Sequence, residues 1–127
     1  MSILSSFRPF NFNEGVPYVS ITMNGVTFNK SVVMKLGRPE HVVFLIDEEG
    51  KRIAIQACNE ATANAVQFYK PKKNDVISVR WNGKDLLNTI QAITGWDLSK
   101  EAFRVEGSLL KAERAMLFNL YEATELK

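Results

Sequence analysis

The chain has 127 residues, of which 46% are hydrophobic and 24% are charged. These values are typical of a folded globular domain and exclude a disordered chain. Sixteen basic residues against fourteen acidic ones give a formal net charge of +2, which excludes the strong overall basicity of many nucleic-acid binders.

Residues 1–15 are rich in Ser, Phe and Asn and show no helical or strand period. We interpret them as an N-terminal arm whose Phe7, Phe10 and Phe12 side chains pack on the domain, because large apolar surfaces are costly to leave in water. Stacking on single-stranded nucleic-acid bases beside Arg8 is the alternative. The arm lacks a signal-peptide pattern, and no apolar run reaches about 18 residues, so we expect a cytoplasmic protein with no membrane segment.

Two β-hairpins are predicted in the first half of the chain. Residues 16–23 have strand composition and precede an Asn-Gly pair, which favours a tight turn into a second strand at 26–28. The near-continuous apolar run at 41–47 predicts a well-buried strand, which a polar turn joins to a partner strand at 52–57.

An aromatic-Asn pair occurs twice, as Phe28-Asn29 and Trp81-Asn82, with the two Asn residues 53 positions apart. Each pair precedes a short amphipathic stretch that ends at a glycine. Because an Asn side chain accepts hydrogen bonds from the free N–H groups at the start of a helix, each Asn is predicted to cap a helix.

The second half repeats the element order of the first. A strand at 76–81 leads into a helix, and strands at 102–110 and 114–120 follow. The connection at 58–75 is predicted to hold either a helical turn or an edge strand.

We predict an α+β fold of short strands in one compact domain, built from a first β-β-α-β-β unit and a second β-α-β-β unit. After the arm, the first unit covers 16–69, a linker covers 70–75 and the second unit covers 76–127. Internal duplication and two unrelated units packed together both fit this order. The predicted core consists of Val19, Ile21, Val26, Phe28, Val32, Val33, Leu36, Val43, Leu45, Ile53, Ile55, Val79, Trp81, Leu86, Leu87, Ile90, Phe103, Val105, Leu117 and Leu120.

One quarter of the chain carries a family resemblance. Residues 25–28 at the entry strand, Leu36-Gly37 at the helix end, and the apolar runs at 42–46 and 53–55 together resemble the swapped-hairpin DNA-binding family of AbrB-type and SpoVT-type regulators and MazE-like antitoxins. In that family two chains interlace into one β-barrel. The resemblance therefore implies that two units in one chain close a swapped-hairpin-like β-barrel by themselves. Both halves also look like small proteins of Gram-positive bacteria and their mobile elements, a likeness that implies no activity.

Several positions depart from the family's pattern. The Arg that the family carries between Gly and Val is missing at Gly25-Val26, Asn29 replaces a helix-opening Pro, and Met34-Lys35 holds one basic residue instead of two. Since the family uses such basic residues on phosphates and bases, retention and loss of DNA binding both remain open.

Basic residues flank both predicted helices and are the candidate phosphate contacts. They are Lys30, Lys35, Arg38, Arg80 and Lys84. Asn29 or Asn82 is a candidate for reaching further into a DNA groove. The alternative is that these charges only keep the surface solvated.

The sequence contains no recognisable catalytic or metal-binding pattern. The single His41 and the single Cys58 lie in different segments without ligand spacing. Asp47, Glu48 and Glu49 adjoin one another in a predicted turn rather than facing each other across a cleft. No glycine-rich phosphate loop occurs. We therefore expect no enzyme, no metal and no cofactor.

Two functions remain open. The first is a non-enzymatic DNA-binding regulator of transcription, of swapped-hairpin type, acting on double-stranded DNA. The second is an interaction or structural module of a mobile element that has lost DNA binding. Such a module would use strand edges or the aromatic arm to meet a protein partner or a second copy of itself.

Overall fold

Short antiparallel strands dominate the fold and join into one sheet that curls into a half-barrel. The computed structural model describes residues 3–7, 15–71 and 77–126. The strands are β1 (Tyr18–Thr22), β2 (Gly25–Phe28), β3 (His41–Asp47), β4 (Arg52–Cys58), β5 (Val66–Gln67), β6 (Val79–Trp81), β7 (Phe103–Leu110), β8 (Ala115–Asn119) and β9 (Thr124–Glu125). The helices are α1 (Lys30–Lys35) and α2 (Lys84–Thr94), and 3-10 turns cover Ile3–Ser6 and Leu120–Glu122. The predicted α+β class with short strands is confirmed.

The two halves of the chain are interleaved within the sheet. The strand order is β5-β3-β4-β8-β7-β1-β2-β6, and β9 adds to β7. Three of the pairings, β4 with β8, β1 with β7 and β2 with β6, join a strand before residue 71 to a strand after residue 77. The hydrophobic core is therefore shared by both halves.

The helices lie at opposite ends of the strands. Phe28, the last residue of β2, pairs with the first residue of β6, so the chain enters α1 at one end and α2 at the other. The turn between β7 and β8 lies at the α1 end, because the start of β8 pairs near the end of β4. The strand β3 follows α1 and begins at the α1 end, so the turn that joins the far end of β3 to β4 lies at the α2 end. These two ends of the half-barrel are called the α1 end and the α2 end below.

A cluster of aromatic rings fills the centre of the core. The Phe28 ring lies 5.1 Å from Trp81, 5.4 Å from Phe68 and 5.8 Å from Phe118 between ring centroids. Trp81 also meets Phe44 at 5.8 Å. These contacts join strands from both edges of the open sheet, and Phe28 itself is fully buried.

Most of the predicted core is buried, Trp81 and Leu86 are half-buried but pack against it, and three further predicted positions are wrong. Val43 and Leu117 are only half-buried and Leu45 is exposed, because their side chains point to the outer face of the sheet. The inner face instead takes the neighbours of these residues. Buried residues that the prediction missed are Val42, Phe68, Leu98, Ala115, Met116 and Phe118. Because strand side chains alternate between the two faces of a sheet, a prediction that is off by one residue assigns every side chain of that strand to the wrong face.

The predicted packing of the arm is wrong where the structure describes it. The Phe7 side chain is 71% exposed, and Ile3 is 90% exposed. Phe10, Phe12 and Arg8 lie outside the described residues. After β8, residues 124–125 add to the sheet as β9.

The two helices are short. The α1 helix has six residues and α2 has eleven, whereas crossing a bilayer takes about 20 apolar residues. Within the described ranges, no helix meets the length and hydropathy that a membrane span requires.

The predicted capping role is confirmed for Asn29 and wrong for Asn82. The Asn29 Oδ1 accepts the backbone N–H groups of Val32 and Tyr18, both at 3.1 Å, and its Nδ2 donates to the Val16 carbonyl at 2.8 Å. One side chain thus caps α1 and ties β1 to the helix. The α2 helix begins one residue later than expected, so Gly83 occupies the cap position, without a side-chain bond.

We predict that Asn29→Ala lowers the free energy of unfolding by about 1 to 2 kcal/mol, because the helix loses its cap and two further backbone groups lose their partner. Asn82→Ala is the matched control and changes it by less than about 0.5 kcal/mol. Urea denaturation measures both. Equal losses for the two variants would contradict the difference in capping.

The backbones of β2 and β6 approach closely at Gly25. A Cβ at this position would lie 2.5 Å from the Trp81 carbonyl oxygen, and the residue has a φ of +140°. Only glycine adopts this conformation readily. The predicted hairpin forms, but its two turn residues are Met23 and Asn24, and Gly25 instead begins β2 beside the end of β6.

We predict that Gly25→Ala destabilises the fold by about 1 to 3 kcal/mol, because the new methyl group clashes with the backbone of β6 at a strained φ. Gly83→Ala, where an added Cβ would have no neighbour within 4 Å, serves as the control. It is expected to stay within about 0.5 kcal/mol of the wild type. Urea denaturation distinguishes the two.

Candidate nucleic-acid interface

The five predicted phosphate contacts do not form one group. Lys30 and Lys35 begin and end α1, and Arg38 follows two residues after its cap, so these three lie at the α1 end. Arg80 is the middle residue of β6 and Lys84 is the first residue of α2. Lys84 and the first three cations therefore lie at opposite ends of the strands.

A hollow beside α1 brings together cations that are distant in sequence. Its volume is ≈ 290 Å³, and it is called the basic hollow below. The residues that line it are Lys35, Leu36, Gly37, Leu109, Lys111 and Arg114. Three of these six lining residues are cationic and none is acidic.

Lys111 and Arg114 were missed by the sequence analysis. They come from the turn between β7 and β8, more than 70 residues after Lys35 in the chain. The only signal in the sequence was Lys111 in the short predicted turn and Arg114 at the first position of the predicted strand that follows, and charges at such a turn ordinarily indicate a solvated surface. Their approach to α1 depends on the pairing of β7 with β1 and of β8 with β4, which no local pattern specifies.

Arg38 and Arg114 adopt left-handed backbone conformations next to the basic hollow. Their φ angles are +56° and +52°, in a region where glycine or asparagine is usual. Lys51, in the turn between β3 and β4, has the same φ of +52° at the opposite end. Each of these side chains stands where glycine would be conformationally easier by about 1 kcal/mol.

Charge is distributed unequally between the two ends of the described chain. At the α1 end the basic residues are Lys30, Lys35, Arg38, Lys70, Lys111 and Arg114, and the acidic ones are Glu40, Glu60, Glu106 and Glu113. At the α2 end the acidic residues are Asp47, Glu48, Glu49, Asp85, Asp97, Glu101, Glu122 and Glu125, and the basic ones are Lys51, Arg52, Lys84, Lys100 and Arg104. The near-neutral total thus conceals a basic end and an acidic end.

The cations of the basic hollow are not neutralised by ion pairs. Within the described residues the one salt bridge joins Arg52 to Asp47, at 2.6 Å, and it lies at the α2 end. There the Gly50 N–H and the Arg52 guanidinium hold the pKa of the Asp47 carboxyl below its ordinary value. Asp47 in turn raises the pKa of Arg52. The positive field at the α1 end is therefore available to an external anion.

Arg80 belongs to a different surface. Its Nε donates to the Thr27 hydroxyl at 3.2 Å on the outer face of the sheet. Together with Lys70, Phe68 and Trp81 it lines a second hollow, of ≈ 310 Å³, at the sheet edge.

The two candidate Asn residues differ in availability. All three polar contacts of the Asn29 side chain go to the protein backbone, so this side chain is committed to the fold. Asn82 is exposed at the α2 end. Neither is placed beside the basic hollow with a free side chain.

His41 and Cys58, expected to be unrelated, are opposite partners in the pairing of β3 with β4. Both are half-buried. No hydrogen bond between their side chains occurs in this part of the structure. Over the ranges 3–7, 15–71 and 77–126, no group of three or more His, Cys, Asp or Glu side chains has the arrangement of a metal site.

Comparison of the chain with protein-family models, with curated protein sequences and with solved structures found no match.

Proposed function

We propose that the protein is a non-enzymatic regulator that binds double-stranded DNA through its α1 end. The observation that carries this proposal is the convergence of Lys35, Lys111 and Arg114 on one hollow that no acidic residue lines, with no ion pair to these cations among the described residues. Cations grouped in this way are the ordinary means of holding backbone phosphates.

The geometry supports backbone contact more than base reading. The α1 helix has only six residues and its Val32 and Val33 are fully buried in the core, so little of it is available to enter a groove. Lys and Arg on turns can instead position a duplex through its phosphates. Lys30 and Arg38 extend the basic surface around α1. Lys84 has no place in this contact, because it lies at the acidic end.

We also propose that the two halves arose by duplication of one swapped-hairpin unit. The pairing of β2 with β6 supports this, because its central pair, Thr27 and Arg80, has the same separation of 53 residues as the two aromatic-Asn pairs. Equivalent strands therefore pair with each other in antiparallel fashion, as the two chains of a symmetric dimer do. The strands β4 and β8, which end the hairpins of the two units, also pair antiparallel.

The first test reverses charge at one end at a time. A triple variant, Lys35→Glu with Lys111→Glu and Arg114→Glu, is expected to weaken binding to a labelled duplex at least tenfold and to flatten the dependence of affinity on salt. Removal of each phosphate contact reduces the slope of log K against log salt by about 0.9. Fluorescence anisotropy at two or more salt concentrations measures both quantities.

The control is Lys51→Glu with Lys84→Glu and Lys100→Glu at the α2 end. It changes the net charge by the same amount and is expected to weaken binding less than threefold. Equal losses for the two triple variants would reject a localised interface. Absence of wild-type binding at low salt would reject the function.

A single substitution separates stability from binding. Arg114→Gly removes one cation and relieves a left-handed backbone position, so the free energy of unfolding should stay the same or rise by up to about 1 kcal/mol while DNA affinity falls. Lys51→Gly relieves the same φ at the opposite end and should leave affinity unchanged. Urea denaturation and anisotropy on both variants test the pair. A loss of affinity for Lys51→Gly equal to that for Arg114→Gly would count against the basic hollow.

The alternative function, an interaction or structural module that meets a protein, is favoured by a separate observation. The outer face of one part of the sheet is apolar and open, although the opposite part of the same sheet is polar.

A further inference from the structure

An apolar strip crosses the outer face of β3, β4, β8 and β7. Leu45 pairs with Ala54, Ala54 with Leu117 and Leu117 with Ser108, so these side chains form one transverse row. Leu110 lies two residues beyond Ser108 on the same face. Leu45 is 43% exposed and Leu110 is 38% exposed.

The other part of the sheet shows the pattern expected of a surface that faces water. On β6, β2, β1 and β7 the corresponding transverse row consists of Arg80, Thr27, Ser20 and Arg104. The Arg104 guanidinium stacks 4.0 Å from the centre of the Tyr18 ring. The two parts of the outer face thus differ in chemistry, and the apolar part indicates contact with another apolar group.

The strip contains a hollow sized for side chains. Leu45, Leu110 and Leu117 border it, the small Ala54 lies between them, and the Asp47–Arg52 pair closes one side. Its volume is ≈ 230 Å³, below the range of about 300 to 1,000 Å³ that holds most small-molecule ligands. One or two apolar side chains fit it better than a cofactor.

The chain itself carries an exposed apolar segment of matching size. Within the 3-10 turn at Ile3–Ser6 and the residue after it, Ile3 is 90% exposed and Phe7 is 71% exposed. Neither packs on the domain, although isolated side chains of this kind gain roughly 1.5 to 3 kcal/mol from full burial.

We propose that the segment from Ile3 to Phe7 of one copy of this chain occupies the apolar strip of a second copy, in a reciprocal exchange of arms. The occupant and the strip are both apolar, both exposed, and present in the same chain. Eight residue steps separate Phe7 from Gly15, the first described residue of the domain, and can span up to roughly 26 to 29 Å, a length over which the arm can extend away from its own domain. The exchange does not depend on DNA binding.

Cross-linking between distinguishable chains tests the proposal. All variants carry Cys58→Ser, so that the introduced cysteine is the only thiol. A chain with Ser6→Cys is mixed with an isotopically labelled chain carrying Ser108→Cys, positions that leave the apolar side chains of the arm and strip in place, and a short bismaleimide joins thiols that lie close together. The matched control replaces the second chain by one with Thr124→Cys, which lies on the polar part of the sheet. Mass spectrometry identifies the mixed product.

We expect the mixed product to exceed the Thr124→Cys control at least fivefold. A chain that carries both Ser6→Cys and Ser108→Cys and links only within itself would show that the arm occupies the strip of its own chain, which would overturn the exchange. A yield no higher than the control would overturn the docking of the arm on this strip.

Sedimentation velocity gives an independent readout. The wild-type chain is expected to self-associate with rising concentration, and Phe7→Glu and Leu110→Glu should each weaken the association at least tenfold while circular dichroism shows an unchanged fold. Ser5→Glu adds the same charge to the arm without removing an apolar contact and should associate like the wild type. A wild-type protein that stays monomeric at high concentration, or variants that associate unchanged, would contradict the proposal.

Discussion

The packing of aromatic rings around Phe28 holds the two edges of the sheet together. In the strand order, β5 and β6 lie at opposite edges, and strand pairing does not connect them in the described chain. The contacts of Phe68, just after β5, with Phe28 and Trp81 bridge the two edges instead. Each such ring pair contributes about 0.5 to 1.5 kcal/mol beyond the burial of its surface. The gap between the two edge strands is therefore filled by side-chain contacts and is not bridged by hydrogen bonds between strands.

The position of the basic hollow depends on this closure. Asn29 directly follows Phe28, and its side chain fixes both the start of α1 and the path of the chain before β1. The place of Lys35, one helix length later, is thereby set relative to the sheet. Lys111 and Arg114 reach the same place by way of long-range strand pairing. Local capping and nonlocal pairing thus jointly determine one surface.

Features with a local cause could be predicted from the sequence, and features set by long-range pairing could not. The cap at Asn29 and the bounds of the strand at 41–47 follow from short patterns. The predicted cap at Asn82 was wrong because the helix starts one residue later, with Gly83 at the cap position. The side chains of β8 that face the core were predicted wrongly. Leu117 and its neighbours are apolar on both faces of the strand, so the alternation of apolar and polar residues does not show which face is buried. The grouping of Lys35 with Lys111 required the sheet order itself.

The two halves of the chain share an order of strand, helix and two strands, yet their helices lie at ends of different charge. Two identical subunits would be bound by symmetry to carry the same charge at both ends. A single chain is released from that requirement, so the molecule has an electric dipole along its strands. The field of a nearby polyanion exerts a torque on this dipole and turns the basic end toward the polyanion before contact. Screening over about 8 Å at physiological ionic strength confines that steering to the last stage of approach.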